Sequence, residues 1–314
     1  MNPFEPLIEW SAANATRQLL ITVGGERVVD ECFDGDESTT TDIASLQKAL
    51  SITVLGQLVD EGVMDLDAPV GEYVGAGWTN ASRAHEAKVT VRNVVAMRSG
   101  LNDRFEEDCE PGTDWYYCNN AYHQVRKAME VATGRESEPL FAQRLWGPLG
   151  MDDSSWKPRP HMKDPHGWVL SGVHTNAGDL DRFGRALLRR DDALGCTASF
   201  LDEVFTGSEA NPSYGLLWWL HGGERAIVPG HRKDQRLDEK KVFGGVTLER
   251  RIAPHAPRDC VGGHGAGNQR IYLVPSQDMV VTRIGSAVAD MNASGEAFDD
   301  AFWSRMPANV RNIP

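Results

Sequence analysis

The apolar residues of one segment, residues 45–59, recur at the spacing of an α-helix. No proline interrupts the segment, and aspartate and threonine residues come directly before it. Apolar positions three and four apart fall on one face of a helix, and Asp and Thr are common at helix starts. The pattern therefore predicts a helix that begins near Ser45 and carries an apolar stripe of Leu46, Ala49, Leu50, Val54 and Leu58.

Short strands are predicted near both ends of the chain. After a possible short helix at residues 5–15, "QLLITVGGERVVDECF" is typical of two strands joined by a Gly-Gly turn. Three late runs are apolar or alternating and bounded by turn residues, namely "YGLLWWL", "QRIYLVP" and "MVVTRIG". A final helix is predicted over "AFDDAFWSRM", whereas the charged run "RKDQRLDEKK" favours a solvated loop within residues 221–260, which carry no clear pattern.

The middle of the chain is dominated by helical patterns. "VTVRNVVAMRSGL" and "NAYHQVRKAMEVATG" predict helices ending at Gly100 and Gly134, and "EPLFAQRLWGPLGM" and "TNAGDLDRFGRALLRR" predict two more. Because strands and helices do not alternate regularly, a doubly wound parallel sheet is disfavoured. We predict an α/β fold of the α+β type. Residues 1–50 and 166–314 form an antiparallel sheet flanked by helices, and residues 51–165 form a mostly helical region.

Composition narrows the classes of partner. The 314 residues carry a net charge of −13, which argues against nucleic acid and anionic membranes, since both bind basic patches. Five widely spaced cysteines without a C-x-x-C pair suit free thiols in a reducing compartment. No stretch resembles a signal peptide or a membrane span, so a cytoplasmic location is expected. Oligomeric state is not readable.

Ser45 and Lys48 form a Ser-x-x-Lys tetrad at the start of the first predicted helix. Residues three apart share a helix face, so the amine lies beside the hydroxyl. A serine hydroxyl needs such a base to become a nucleophile, and burial lowers the pKa of a lysine toward neutrality. The alternative is an ordinary helix-start serine. A second tetrad, Ser154 to Lys157, is followed by Pro158, which disfavours a helix there.

Two further segments carry candidate site residues. Tyr117 and Asn119 lie in a predicted loop, where a phenol can move a proton and an amide can orient a substrate or lysine. A packed ring and a helix cap are the alternative. His264, Gly265 and Gly267 belong to a glycine-rich run whose main-chain N–H groups can face an oxyanion. The alternative is a glycine-rich bulge with an exposed histidine. No metal-ligand spacing or dinucleotide fingerprint occurs, so neither a metal nor another cofactor is predicted.

The order of these motifs resembles the serine β-lactamase and penicillin-binding-protein superfamily, whose members carry their nucleophilic serine in a Ser-x-x-Lys motif. The similarity is greatest to its class C-like branch of class C β-lactamases, D-alanyl-D-alanine carboxypeptidases, β-lactamase-like esterases and 6-aminohexanoate-dimer hydrolases. Connecting segments carry the likeness along most of the chain: "LGQLVDEGVMDLDAPVGEYV", "VTVRNVVAMRSGL", "PGTDWYYCNNAYHQVRKAMEVATG", "LWGPLGMDDSSW" and "SGVHTNAGDLDRFGRALL".

The resemblance implies a β-lactamase/transpeptidase-like fold with the active site between the sheet domain and the helical region. It also implies roles. Ser45 is acylated, Lys48 and Tyr117 share the proton transfers, and Asn119 orients Lys48 or the substrate. The N–H of Ser45 and one near Gly267 form the oxyanion hole.

Departures from the family pattern bear on the substrate. His264-Gly265-Ala266 stands where the family has Lys-Thr-Gly, and Cys118 replaces the usual serine between Tyr117 and Asn119. Without that lysine, a penicillin carboxylate loses a fixed cation. We therefore expect a serine hydrolase of a small ester or amide, most consistent with a β-lactamase-like carboxylesterase. The alternatives are β-lactamase or D-alanyl-D-alanine peptidase activity, or a non-catalytic, acylatable sensor module.

Overall fold

The computed structural model describes residues 2–230, 244–286, 296–307 and 310. The predicted loop "RKDQRLDEKK" lies outside the described residues. The helices are α1 Glu5–Ala13, α2 Gln47–Asp60, α3 Gly71–Val74, α4 Arg83–Glu86, α5 Val91–Val95, α6 Asn119–Thr133, α7 Ser137–Phe141, α8 Gly147–Leu149, α9 Ala177–Arg189, α10 Ala198–Val204 and α11 Glu296–Trp303. The strands are β1 Thr16–Val23, β2 Glu26–Cys32, β3 Thr41–Asp42, β4 Ser155–Lys163, β5 Val169–Thr175, β6 Trp219–Leu220, β7 Ala226–Gly230, β8 Gly244–Leu248, β9 Val261–Gly265, β10 Gln269–Val274 and β11 Met279–Gly285.

A six-stranded antiparallel sheet forms the centre of the fold. Its strand order is β2-β1-β11-β10-β9-β6, so the first and last strands of the chain pair in the middle. Two smaller sheets consist of β3-β5-β4 and β7-β8. The predicted antiparallel sheet built from both ends of the chain, and the α+β class, are confirmed.

Both faces of the central sheet are buried. Along β10, Ile271 and Leu273 belong to the apolar core that contains α2, α6 and α9. The intervening Tyr272 and Val274 belong to a second core, which contains residues of α1 and α11. Because successive side chains of a strand point to opposite faces, helices cover the sheet from both sides. Every residue of β10 and β11 is buried, which explains why these strands do not alternate between buried apolar and exposed polar residues.

Several local predictions differ from the structure. The helix predicted to end at Gly100 is the shorter α5, which ends at Val95. "YGLLWWL" forms a strand only at β6, because Leu217 adopts a left-handed φ of 60° and the chain turns there. Within the region predicted to be mostly helical, β4 is a strand, and the second Ser-x-x-Lys tetrad runs into it. The glycine-rich run contains the whole of β9. This strand was not predicted because three of its five residues are glycines and provide no side-chain pattern. The division into residues 1–50 and 166–314 against 51–165 stays a prediction.

Helix α9 packs closely on the sheet through Gly184. A Cβ at this position would lie 2.6 Å from Val280 Cγ1 and 3.1 Å from two side chains of β10. We predict that Gly184→Ala lowers the free energy of unfolding by up to about 2 kcal/mol, because an overpacking cost of about 1–3 kcal/mol exceeds the roughly 1 kcal/mol gain in helix propensity. Urea denaturation measures the change.

The matched control lies in the same helix. A Cβ on Gly178 would meet no atom closer than 3.4 Å, so Gly178→Ala should leave the stability unchanged or raise it slightly. Equal effects of the two variants would contradict the close packing of α9 on the sheet.

Candidate active site

Ser45 lies in a short 3₁₀ turn, Ala44–Leu46, directly before α2. The preceding Ala44 has a φ of 49°, a left-handed conformation that is costly for a residue with a Cβ. The turn is fixed by Asp42 at the end of β3. Its carboxylate accepts a hydrogen bond from the Ala44 N–H at 2.8 Å and another from Arg159 Nε of β4 at 2.7 Å. The small sheet β3-β5-β4 therefore holds the backbone that presents Ser45.

Lys48 is 2% exposed and lies in the first turn of α2. Its Nζ donates hydrogen bonds to Ser45 Oγ at 3.0 Å and to Asn119 Oδ1 at 2.8 Å. The predicted proximity of amine and hydroxyl is thus present in the structure. Burial lowers the pKa of Lys48 to about 7, and the positive charge of Arg159 acts in the same direction. Near neutral pH this amine can therefore exist in both protonation states.

Tyr117 and Asn119 reach Ser45 and Lys48 from the start of α6. The Tyr117 side chain faces Ser45 across the cavity that both line, and its ring centroid lies 4.9 Å from Lys48 Nζ. Burial raises the pKa of Tyr117 above its ordinary value, so the phenol stays protonated at neutral pH. Between them, Cys118 is buried, and its Sγ lies 3.6 Å from the Asn102 carbonyl oxygen.

The turn between β9 and β10 closes the other side of the site. A Cβ on Gly265 would lie 2.1 Å from the Ile43 carbonyl oxygen, so only glycine lets β9 approach the Ser45 turn this closely. Gly267 has a φ of 79°, and its carbonyl oxygen accepts a 2.8 Å hydrogen bond from the buried Arg283. Among the described residues, the N–H groups of Ser45, Ala266 and Gly267 have no hydrogen-bond acceptor.

His264 is largely enclosed rather than exposed. Its ring stacks on Trp219 with centroids 5.7 Å apart, and its Nε2 lies 3.4 Å from Nε2 of His221. Its Nδ1 is 3.8 Å from the Asp299 carboxylate. Burial lowers the pKa of His264 well below its ordinary value, and the charge of Arg270 adds to this effect. The imidazole is therefore neutral at physiological pH.

A cavity of about 100 Å³ brings all the predicted site residues except Lys48 together. Lys48 lies beneath it, in contact with Ser45 and Asn119. The cavity is lined by Ser45, Tyr117, Asn119, Trp219, Pro229, His264, Gly265, Ala266, Gly267, Asn268 and Arg270. Its aromatic wall is backed by buried rings, since the Trp219 ring stacks on Tyr117 with centroids 6.1 Å apart and contacts the buried Tyr214 and Trp115.

Four residues around the site escaped the sequence analysis. Trp219 lies in a run that was interpreted only as a strand, and Tyr122 was part of an amphipathic helix pattern. Arg270 and Asp299 form a buried ion pair, with Arg270 Nε 2.6 Å from Asp299 Oδ1. Nothing local indicates this pair, because its members are far apart in the chain. The Tyr272 hydroxyl also donates to Asp299.

The fold resembles solved structures of serine hydrolases of the β-lactamase type. A class C β-lactamase aligns over 98% of this chain and 96% of its own with a TM-score of 0.68, at 16% sequence identity. This likeness concerns the fold, which confirms the predicted β-lactamase/transpeptidase architecture. Residues 12–289 match the sequence model of the family described as Beta-lactamase. The chain therefore belongs to the β-lactamase family, as the motif order indicated.

Curated relatives within this family differ in their described activities. Penicillin-binding protein 4 of Amycolatopsis lactamdurans is 26% identical over 60% of this chain and 64% of its own. The 6-aminohexanoate-dimer hydrolase of Paenarthrobacter ureafaciens is 25% identical over 63% of each chain. The chain thus spans somewhat less than two thirds of the length of these two relatives. None of the described helices is both long and apolar enough to cross a bilayer.

The Arg270–Asp299 pair beneath the cavity leads to a stability prediction. Asp299→Asn leaves the Arg270 guanidinium buried without a counter-charge, which typically costs about 3 kcal/mol or more. We expect the free energy of unfolding in urea to fall by about that amount. Asp300→Asn is the matched control. Asp300 pairs with His255 at 2.8 Å on the surface, where such pairs contribute less than about 1 kcal/mol. Similar losses in both variants would contradict a buried charge pair.

Proposed function

We propose that this protein is a serine hydrolase that cleaves a small ester or amide through an acyl-enzyme on Ser45, with carboxylesterase activity as its main reaction. The observation that carries the proposal is the 3.0 Å contact of Ser45 Oγ with the buried amine of Lys48. A hydroxyl beside an amine whose pKa is near 7 is the arrangement that an activated nucleophile needs.

In the acylation step, Ser45 Oγ attacks the substrate carbonyl carbon, and its proton passes to the neutral amine of Lys48. Lys48 acts as the base because its pKa is near neutrality, whereas Tyr117 is protonated and serves to relay a proton. The developing oxyanion is stabilised by the N–H groups of Ser45 and of Ala266 or Gly267, which have no described acceptor. The C–O or C–N bond then breaks, and the leaving group takes the proton.

Deacylation reverses these proton movements with water as the nucleophile. Water attacks the acyl carbon of the Ser45 ester and gives its proton to Lys48, directly or through Tyr117. The tetrahedral intermediate collapses, the carboxylic acid leaves, and Ser45 Oγ recovers a proton. Asn119 holds Lys48 Nζ at 2.8 Å during both steps, which keeps the amine directed at Ser45.

The lining of the cavity favours an uncharged acyl group. Trp219, Tyr117 and His264 present aromatic surface, and Arg270, the cationic side chain among the described lining residues, is neutralised by Asp299. A penicillin carboxylate would therefore meet no unpaired cation among those residues. Amide cleavage is the second candidate, because one relative is described as a 6-aminohexanoate-dimer hydrolase.

Hydrolysis of p-nitrophenyl butyrate tests the nucleophile and the base. Ser45→Ala should abolish turnover, and Lys48→Met should reduce kcat by orders of magnitude, because the two groups act as a unit. Lys157→Met is the control. Lys157 belongs to the second tetrad and is exposed on β4, so its loss should leave kcat unchanged.

Mass spectrometry of the protein during turnover should show a butyryl adduct that is absent in Ser45→Ala. Full activity of Ser45→Ala would disprove the assignment. Linear amides and penicillins are tested in parallel. If the wild type cleaves one of these but no ester, that class is the substrate. A failure with all three classes would leave the non-catalytic sensor.

The pH dependence follows from the pKa of Lys48. Since the base form is the neutral amine, kcat/KM should rise with pH and reach half its plateau near pH 7. Tyr117 does not titrate in this range because burial raises its pKa. Stopped-flow assays with p-nitrophenyl butyrate between pH 5 and 9 measure the profile. A rate that is constant or falls across pH 6–8 would contradict a neutral Lys48 as the base.

A further inference from the structure

Lys48 is a buried cation without a carboxylate partner among the described residues. Its two hydrogen-bond acceptors, Ser45 Oγ and Asn119 Oδ1, are both uncharged. Charged side chains are rarely this buried unless a group of opposite charge compensates them. Another source of negative potential is therefore needed to keep a proton on Lys48 near neutral pH.

Two tyrosine rings supply that potential. Lys48 Nζ lies 4.9 Å from the ring centroid of Tyr117 and 4.7 Å from that of Tyr122. The face of an aromatic ring is negative, and a cation within about 6 Å of the centroid is attracted to it. Tyr117 already has a role in the proposed proton relay, whereas Tyr122 contacts neither the cavity nor Ser45 Oγ.

Tyr122 is held rigidly in this position. Its side chain is fully buried, and its hydroxyl is hydrogen-bonded with Ser51 Oγ at 2.8 Å. Ser51 in turn donates to the Gln47 carbonyl oxygen at 3.0 Å, one turn earlier in α2. The ring of Tyr122 is thus fixed by α2, the helix that carries Lys48, while its backbone belongs to α6.

We propose that Tyr122 is a positioning residue for Lys48, whose ring face stabilises the ammonium and keeps the amine able both to take and to return the Ser45 proton. This inference rests on the proposed function, in which Lys48 is the base. It assigns to Tyr122 an electrostatic part in the reaction beyond packing between α2 and α6.

Three further described side chains interact electrostatically with Lys48. Arg159 of β4 opposes its charge and is itself paired with Asp42 of β3. His123, one residue after Tyr122, is buried and neutral because burial and Lys48 lower its pKa. Burial raises the pKa of Cys118, so the thiol is uncharged. None of these described neighbours supplies a negative charge next to the amine, which leaves the two rings.

The experiment varies the ring face at constant shape. Tyr122 is replaced by phenylalanine and, through an expanded genetic code, by 3,4,5-trifluorophenylalanine, in which fluorine withdraws electron density from the ring. The pKa of Lys48 is read directly from a pH titration of ¹³Cε-lysine NMR signals, with the Lys48 signal assigned by its absence in Lys48→Met. This readout requires no turnover.

We expect Tyr122→Phe to leave the pKa of Lys48 within a few tenths of a unit, and the fluorinated ring to lower it by about half a unit to one unit. Tyr122→Leu, which removes the ring, should lower it at least as much. The pH at which kcat/KM is half-maximal should shift downward in parallel. If Tyr122→Leu does not fold, the fluorinated ring still decides the question, because its shape hardly changes.

Two results would overturn the inference. An unchanged Lys48 pKa with the fluorinated ring would leave Tyr122 as a packing residue. The second result is a Lys48 pKa that shifts as much in Tyr122→Phe as in the fluorinated variant, and also shifts in Ser51→Ala. It would show that the Tyr122 hydroxyl, and not the ring face, affects Lys48. Failure of the proposed function is distinguishable, since it would appear as activity retained in Ser45→Ala while the NMR titration still reports the ring effect.

Discussion

The burial of the Lys48 amine is the constraint on which the site depends. An ammonium removed from water loses its hydration, which is why the pKa of Lys48 falls to about 7. The same burial makes each remaining contact of Nζ more consequential, because interactions between charges and dipoles strengthen where water is absent. Ser45, Asn119 and the two tyrosine rings are those contacts. The amine is neutral enough to act as a base because the fold encloses it, and it remains protonatable because these groups surround it.

The Lys48 amine is enclosed because chain segments pack closely around the Ser45 turn, which requires unusual backbone conformations or residues without a Cβ. Strand β9 reaches the Ser45 turn because Gly265 has no Cβ to meet the Ile43 carbonyl oxygen. On the other side, Ala44 adopts a left-handed φ that is tolerated because Asp42 and Arg159 hold the turn in place. The strained turn that contains Ala44 and the glycine-rich strand β9 therefore serve the same purpose. Both bring main-chain N–H groups close to Ser45 Oγ without filling the cavity.

The sequence predicted the parts of the site that depend on local spacing. Ser45 and Lys48 are three residues apart, so a helical turn alone places the amine beside the hydroxyl, and Tyr117 and Asn119 are presented by the start of one helix. Tyr122, Trp219 and Asp299 were not found, since each acts through a residue distant in sequence. Strand β9 was missed because five residues that include three glycines carry almost no side-chain pattern. Long-range pairing supplies such contacts, and one sequence contains no direct signal of it.

The chemistry at His264 connects the electrostatics of the site with its choice of substrate. The ring is buried, neutral and stacked on Trp219, which stacks in turn on Tyr117. Behind it, Arg270 is neutralised by Asp299. The described lining therefore offers no unpaired cation to a substrate, and a carboxylate entering the cavity would lose hydration without gaining an ion pair with those residues. An uncharged ester or amide avoids this cost. Because Tyr117 stays protonated and His264 stays neutral, Lys48 is the described group next to Ser45 whose charge changes in the proposed reaction.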